Sequence, residues 1–322
     1  MSTMPPEVAA QLRRIGREFP PDTVDAVREL LTPLHQANGY QAPRVERDLA
    51  YGADARHRLD IHLPADEPAG RPVLLYVHGG GFVAGDKSAP GSPYYDHVGG
   101  WAVRNGMIAV TMTYRLAPQH RWPAAAEDVA AAVAWTREHI ADRGADPGRI
   151  VLMGQSAGAA HVASFLAGHG GAGAGALAGA VLLSGIYDPV TADRNPLLFS
   201  YYGDDPDQYA ERSAVPGLVA SPVPMLFGVA EFDSADFHRQ GVVLLDAMLA
   251  AHGVIPPFVT VLGHTHLSEI FSLGLDDDAF GTALARFVLR ATATQPAPLP
   301  SRTGTSPGHP QMRQPQGTAA SS

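Results

Sequence analysis

At 322 residues with 45% hydrophobic content, the chain is long enough for one large domain or two small ones around a sizeable core. A formal net charge of -9, with no block of Lys or Arg among the 23 basic residues, excludes a nucleic-acid partner, whose phosphates need clustered cations. The absence of cysteine removes disulfides, thiolate catalysis, Cys-bound zinc and iron–sulfur clusters, so any chemistry must rest on oxygen and nitrogen.

The N-terminus, MSTMPPEVAAQLRRIGREFPPD, lacks a charged start followed by an apolar run, and no later window approaches a membrane-spanning length of apolar residues. The expectation is a soluble cytoplasmic chain with no membrane partner. Two amphipathic helical patterns, about residues 6–18 and 23–37, read as a flank or lid over residues 1–43, not as core. From residue 44 strands and helices alternate. RVERDLAYG and HRLDIHLP suggest an antiparallel pair, RPVLLYVHGGG a buried strand ending in glycines, and MIAVTMTYR another strand. A long helix over about residues 124–142 precedes the strand RIVLMG, a helix from Ser156, and the strand LAGAVLLSG. The strand VPMLFGVAEFD, a helix over about residues 235–252 and the strand PFVTVLG complete the pattern. Near-continuous apolar strands alternating with helices predict an α/β fold, with a mostly parallel central sheet covered by helices on both faces. Between Tyr187 and Ser221 the pattern lapses, which predicts a loop-rich insertion. The catalytic domain is therefore expected over 44–290. Residues 291–322, rich in Pro, Gly, Ser, Thr and Gln, read as a disordered tail.

The pattern G-x-S-x-G occurs twice, as GQSAG (Gly154–Gly158) and as GTSPG (Gly304–Gly308). The second lies in the tail, where nothing rigid would hold a base near Ser306. Ser156 instead stands between a buried strand and a helix of small residues. A sharp turn there projects the hydroxyl above the sheet and aims helix N-terminal N–H groups at the same point. The competing reading is a helix N-cap serine. In YVHGGGFVAGDK, a chain without side chains can bring two N–H groups within reach of a substrate oxygen. Gly80 and Gly81, joined by Ala157, are the expected oxyanion donors. A phosphate-binding loop is the alternative, but neither G-x-G-x-x-G nor the Walker pattern is completed. A serine nucleophile needs a base and an orienting acid, in the chain order Ser, Asp or Glu, His. Asp233 ends a strand and is the preferred acid, with Asp236 and Glu231 as alternatives. His266 is preferred to His264 as the base, because the residue nearer the strand end tends to be spent on the turn. His264-x-His266 also has metal-ligand character, but with no third ligand evident no metal is expected. Phe82, Tyr201 and Tyr202 are candidates for an apolar substrate pocket, as are Tyr94, Tyr95, Phe199 and Phe271, each serving equally well as packing.

HGGGF, YRLAPQHRWPAAAEDV and GQSAG together resemble the serine esterases of the α/β-hydrolase fold, in the branch related to bacterial hormone-sensitive lipases and arylformamidase-like carboxylesterases. The resemblance covers about residues 44–290. It implies Ser156 as nucleophile, Asp233 as acid, His266 as base and Gly80, Gly81 and Ala157 as the oxyanion hole, with no cofactor and a small-molecule ester as substrate. Where the lipase-like branch has an acidic residue, Gln155 stands; SGIYDP, YYGDD and GHTHLSEI look more like the formamidase-like branch. Arg115 and Asp128 read as braces between sheet and helix. The implied activity is hydrolysis of carboxylic esters through an acyl-enzyme, with an arylformamidase or other amide hydrolase as the alternative, and a receptor that lost catalysis as the rival from another class.

Overall fold

The computed structural model describes residues 4–17, 20, 22–66, 69–171, 173–275 and 279–293. Helices α1 (Pro6–Ile15) and α2 (Thr23–Asn38) lead into the antiparallel pair β1 (Arg44–Ala50) and β2 (Arg58–Leu63). Then come β3 (Arg71–Val77), α3 (Asp96–Arg104), β4 (Ile108–Met112), α4 (Ala124–His139), β5 (Ala145–Gln155) and α5 (Ala157–Leu166). β6 (Gly179–Leu183), α6 (Pro196–Tyr202), α7 (Val215–Ala220), β7 (Met225–Phe232), α8 (Ala235–His252), β8 (Phe258–Thr265), α9 (Ser268–Phe271) and α10 (Ala279–Ala291) complete the series. The eight strands form one sheet in the order β1-β2-β4-β3-β5-β6-β7-β8, parallel from β4 to β8.

Successive residues of a strand point to opposite faces, and here both faces are apolar. Val73, Leu75 and Val77 of β3 enter the core shared with α4, α5, α6 and α8, while Leu74 and Tyr76 enter the core shared with α1, α2, α3 and α10. Ile150 and Leu152 of β5 take the first face, Val151 and Met153 the second. Because the strands from β4 onward run the same way, the residues that follow β3, β5, β7 and β8 collect along one edge of the sheet.

Two expectations are corrected. The N-terminal helices are not an outlying lid: Leu12, Val27 and Leu31 are fully buried, α1 packs on β8, and α2 packs on α9. An amphipathic stripe placed against a sheet face buries as completely as any other helix of the layer. Between Tyr187 and Ser221 the chain is mostly irregular, with the short helices α6 and α7 within it and Tyr201, Tyr202 and Tyr209 buried. At the C-terminal end, Ala291 is the last residue of α10 and buried Thr292 accepts a hydrogen bond from Arg149. The folded unit is Met1–Thr292; GTSPG and the rest of the expected tail from residue 294 lie outside the described residues. No helix among the described residues is long and apolar enough to cross a membrane.

Candidate active site

Ser156 occupies the turn between β5 and α5 with φ 57°, a left-handed conformation that costs a non-glycine residue about 1–3 kcal/mol and persists only where its surroundings enforce it. The two glycines of GQSAG show what enforces it. A Cβ on Gly158 would lie 2.1 Å from the carbonyl oxygen of Val77, and one on Gly154 would lie 2.4 Å from that of Gly158. Only bare backbone lets α5 approach β3 and β5 this closely, and that approach leaves the Ser156 side chain half-buried at the sheet edge.

His266, just beyond β8, puts Nε2 2.8 Å from Ser156 Oγ, and its Nδ1 lies 2.7 Å from Oδ1 of Asp233, just beyond β7. A carboxylate only accepts, so Nδ1 carries the proton and Nε2 is left to accept from the serine hydroxyl. The ring of Phe237 stacks on His266 with centroids 4.1 Å apart, holding the imidazole plane. Asp233 is fully buried; its Oδ2 accepts from the Ala230 N–H at 2.8 Å and from Ser184 Oγ at 2.6 Å.

The HGGGF loop lies directly against this row. A Cβ on Gly79 would sit 3.1 Å from the Cβ of Ser156. The backbone N–H groups of Gly80, Gly81 and Ala157 have no hydrogen-bond partner among the described residues. Gly80 and Gly81 have φ of 139° and 58°, conformations open to glycine, and Leu197 of α6 roofs Gly81. Tyr114 of the YRLAP segment donates to the His78 carbonyl at 2.9 Å, tying that segment to the root of the loop. Arg115 and Asp128 meet through two bonds of 2.7 and 2.8 Å, and His57 lies 3.0 Å from Asp128, which is the brace expected of them.

Each rejected alternative has another partner. Glu231 accepts from the Gly263 N–H, Asp236 pairs with Arg239, and His264 Nδ1 lies 3.0 Å from Ser268 Oγ. The pocket residues fare differently. Tyr201 and Tyr202 are each 1% exposed and Phe82 is 6% exposed; Phe82 stacks on Tyr201 at 4.8 Å and meets Tyr202 and His161 edge-on. These rings pack against one another beneath the HGGGF loop, so the side chains expected to line a substrate pocket are buried here. Leu197, which roofs Gly81, does reach the surface and is 46% exposed.

Ser184, at the end of β6, and Glu269, in α9, were missed in the sequence. Ser184 has φ 47°, and its hydroxyl lies between Asp233 and Glu269. Gln155 reaches both the carbonyl of His266 and Glu269. Asp233, His266 and Glu269 would be near enough to share a metal ion, but their inward lone pairs are already engaged by these hydrogen bonds.

Strand order and the row at the sheet edge define an α/β-hydrolase fold. Comparison with known proteins agrees. Residues 74–215 match a family model described as alpha/beta hydrolase fold. The chain is 42% identical over 140 residues to the esterase LipI of Mycobacterium tuberculosis, covering 42% of each protein. It is 35% identical over 138 residues to a probable isoprenylcysteine alpha-carbonyl methylesterase of Arabidopsis thaliana, covering 42% of this chain and 28% of that protein. The chain thus spans under half the length of these curated relatives. Among solved structures, a hyperthermophilic esterase from the archaeon Pyrobaculum calidifontis superposes with TM-score 0.64 at 22% identity, over 89% of this chain and 98% of that one. Esterase B from Lactobacillus rhamnosis superposes with TM-score 0.68 at 17% identity, over 89% and 97%. The motifs and the comparisons agree on the fold.

Proposed function

We propose that the chain is a serine hydrolase that cleaves small carboxylic esters through an acyl-enzyme. The observation that carries this reading is the unbroken Ser156–His266–Asp233 hydrogen-bond chain beside three N–H groups that have no partner among the described residues. In the proposed cycle His266 Nε2 takes the Ser156 proton as Oγ attacks the ester carbonyl, and the imidazolium formed is stabilised by Asp233. The carbonyl oxygen, now negative, accepts from the N–H groups of Gly80, Gly81 and Ala157. Collapse expels the alcohol, which receives its proton from His266. Water, deprotonated by the same imidazole, then attacks the acyl-enzyme and returns Ser156 with release of the acid. No step calls for a cofactor. Residues 44–290 are assigned the chemistry, with residues 1–43 as a helical flank, and the cytoplasmic location expected of the composition belongs to the same proposal.

The named relatives are esterases, which supports ester over formamide hydrolysis, while the triad itself serves either bond. A hydrolysis screen of p-nitrophenyl esters of graded acyl length, run beside an N-formyl aromatic amine, tests the assignment. Turnover of the esters well above that of the formamide is expected, and the reverse preference would overturn it.

A further inference from the structure

Glu269 and Ser184 take no part in the cycle above, yet they complete a closed network behind it. Glu269 is fully buried, and its hydrogen-bond partners are Gln155 and Ser184, with no Lys or Arg paired to it among the described residues. The hydrogen-bond directions can be read in sequence. Gln155 Nε2 lies 2.7 Å from the His266 carbonyl oxygen, which only accepts, so this atom is the donor and the Glu269 Oε1 at 3.0 Å accepts from it. Ser184 Oγ lies 2.6 Å from Asp233 Oδ2 and 2.9 Å from Glu269 Oε2. A hydroxyl owns one proton. It satisfies one carboxyl, and the other contact is lone pair against lone pair unless that carboxyl brings a proton of its own. Asp233 is not the one, since Oδ2 also accepts from the Ala230 N–H and Oδ1 from His266. The proton therefore sits on Glu269 Oε2.

We propose that Glu269 is a positioning residue, a proton-bearing buried carboxyl that fixes Asp233 through Ser184 and leaves the site with a single negative charge. The chain of donors then runs Glu269 to Ser184 to Asp233 from one side, and Ser156 to His266 to Asp233 from the other. The role rests on the hydrolase reading above, but the protonation does not. Burial, reinforced by the charge of Asp233, raises the Glu269 pKa well above its ordinary 4.5. Among the described residues, the other titratable or charged groups facing it or its helix are His266, Tyr187 and Tyr76 of β3, His264 against Ser268, His35 and His97 at the carbonyls of Phe271 and Ile270, and Arg28, Tyr94 and Tyr95 on the Phe271 ring. A carboxyl whose folded pKa is raised is protonated in both states at low pH. As pH climbs above about 4.5 only the unfolded chain ionises, so stability is lost with rising pH.

The test uses the full chain with Glu269→Gln and Glu269→Ala, p-nitrophenyl butyrate as probe, and thermal unfolding from pH 5 to pH 8. The glutamine amide donates to Ser184 and accepts from Gln155, so Glu269→Gln should keep kcat within about threefold and leave the pH profile unmoved. Glu269→Ala should lose about tenfold or more in kcat at nearly unchanged KM. The unfolding midpoint of Glu269→Gln should gain on wild type steadily as pH rises. A difference in midpoint that does not change with pH, or a Gln variant as impaired as the Ala variant, would overturn the proposal. Infrared spectra of wild type at pH 7, with either variant as reference, should contain a protonated-carboxyl band assigned to Glu269; its absence also overturns the proposal and needs no stable Gln variant. If wild type turns over no ester, the hydrolase reading fails, while the unfolding and infrared arms still decide where the proton is.

Discussion

At the scale of single residues, the two histidines of GHTHLSEI are separated by what they touch. His266 reaches Ser156 and Asp233 at 2.8 and 2.7 Å, whereas His264 is held by Ser268 and Ser272. His266→Ala should therefore lose nearly as much kcat as Ser156→Ala, roughly three or more orders of magnitude, and the double variant should lose little more, because residues that act as a unit are not additive. His264→Ala should be far milder. Steady-state kinetics on one ester decides this, and a dead His264→Ala beside an active His266→Ala would reverse the assignment. These residues were legible in the sequence because each sits at a strand end beside a recognisable turn. Ser184 and Glu269 were not, because their relation exists only where the ends of β6, β7 and β8 converge.

At the scale of elements, the site depends on how closely α5 enters the sheet. Gly158→Ala would put a methyl 2.1 Å from the Val77 carbonyl, a backbone atom that cannot swing aside. The helix must shift, at a cost of about 1–3 kcal/mol, and Ser156 moves with it. Denaturant unfolding should show that loss along with a drop in kcat much larger than the change in KM; a variant of wild-type stability and activity would mean the turn is not the constraint. The parallel strands were readable from their apolar runs, and α8 was expected over the residues it occupies. By contrast, α3 escaped notice because it is buried on nearly every side and contains Gly99 and Gly100, so it shows no polar face to give a helical period. In α10 the signal was present in Phe280, Leu284 and Val288, spaced at i, i+4 and i+8, all buried.

At the scale of the whole molecule, four buried histidines make the fold sensitive to acid. Burial lowers His62 and His78 to about 4 and His97 and His161 to about 3. Their folded pKa values lie below the ordinary 6.5, so the unfolded chain takes up protons that the folded chain refuses. The stability is fully present above pH 6.5 and is lost as pH falls, by up to about 1.4 kcal/mol per pH unit for each group. His161 is the cleanest probe, since neither ring nitrogen has a hydrogen-bond partner among the described residues and the ring packs among Phe82, Tyr114 and Tyr201. His161→Phe should flatten the fall in unfolding free energy between pH 6.5 and 4 by about one proton, measured by denaturant titration at each pH. An unchanged slope would refute the buried, neutral state. None of this was visible in the sequence, where a histidine on a small-residue helix carries no mark of what packs around it.

The central claim, that Ser156 is a nucleophile activated by His266 and Asp233, is tested most directly by covalent labelling with an organophosphate followed by mass spectrometry of the peptides. One adduct is predicted, on the peptide GQSAG at Ser156, formed far more slowly in His266→Ala and absent from Ser156→Ala. Undiminished labelling of Ser156→Ala, or an adduct on another residue in wild type, would contradict the account.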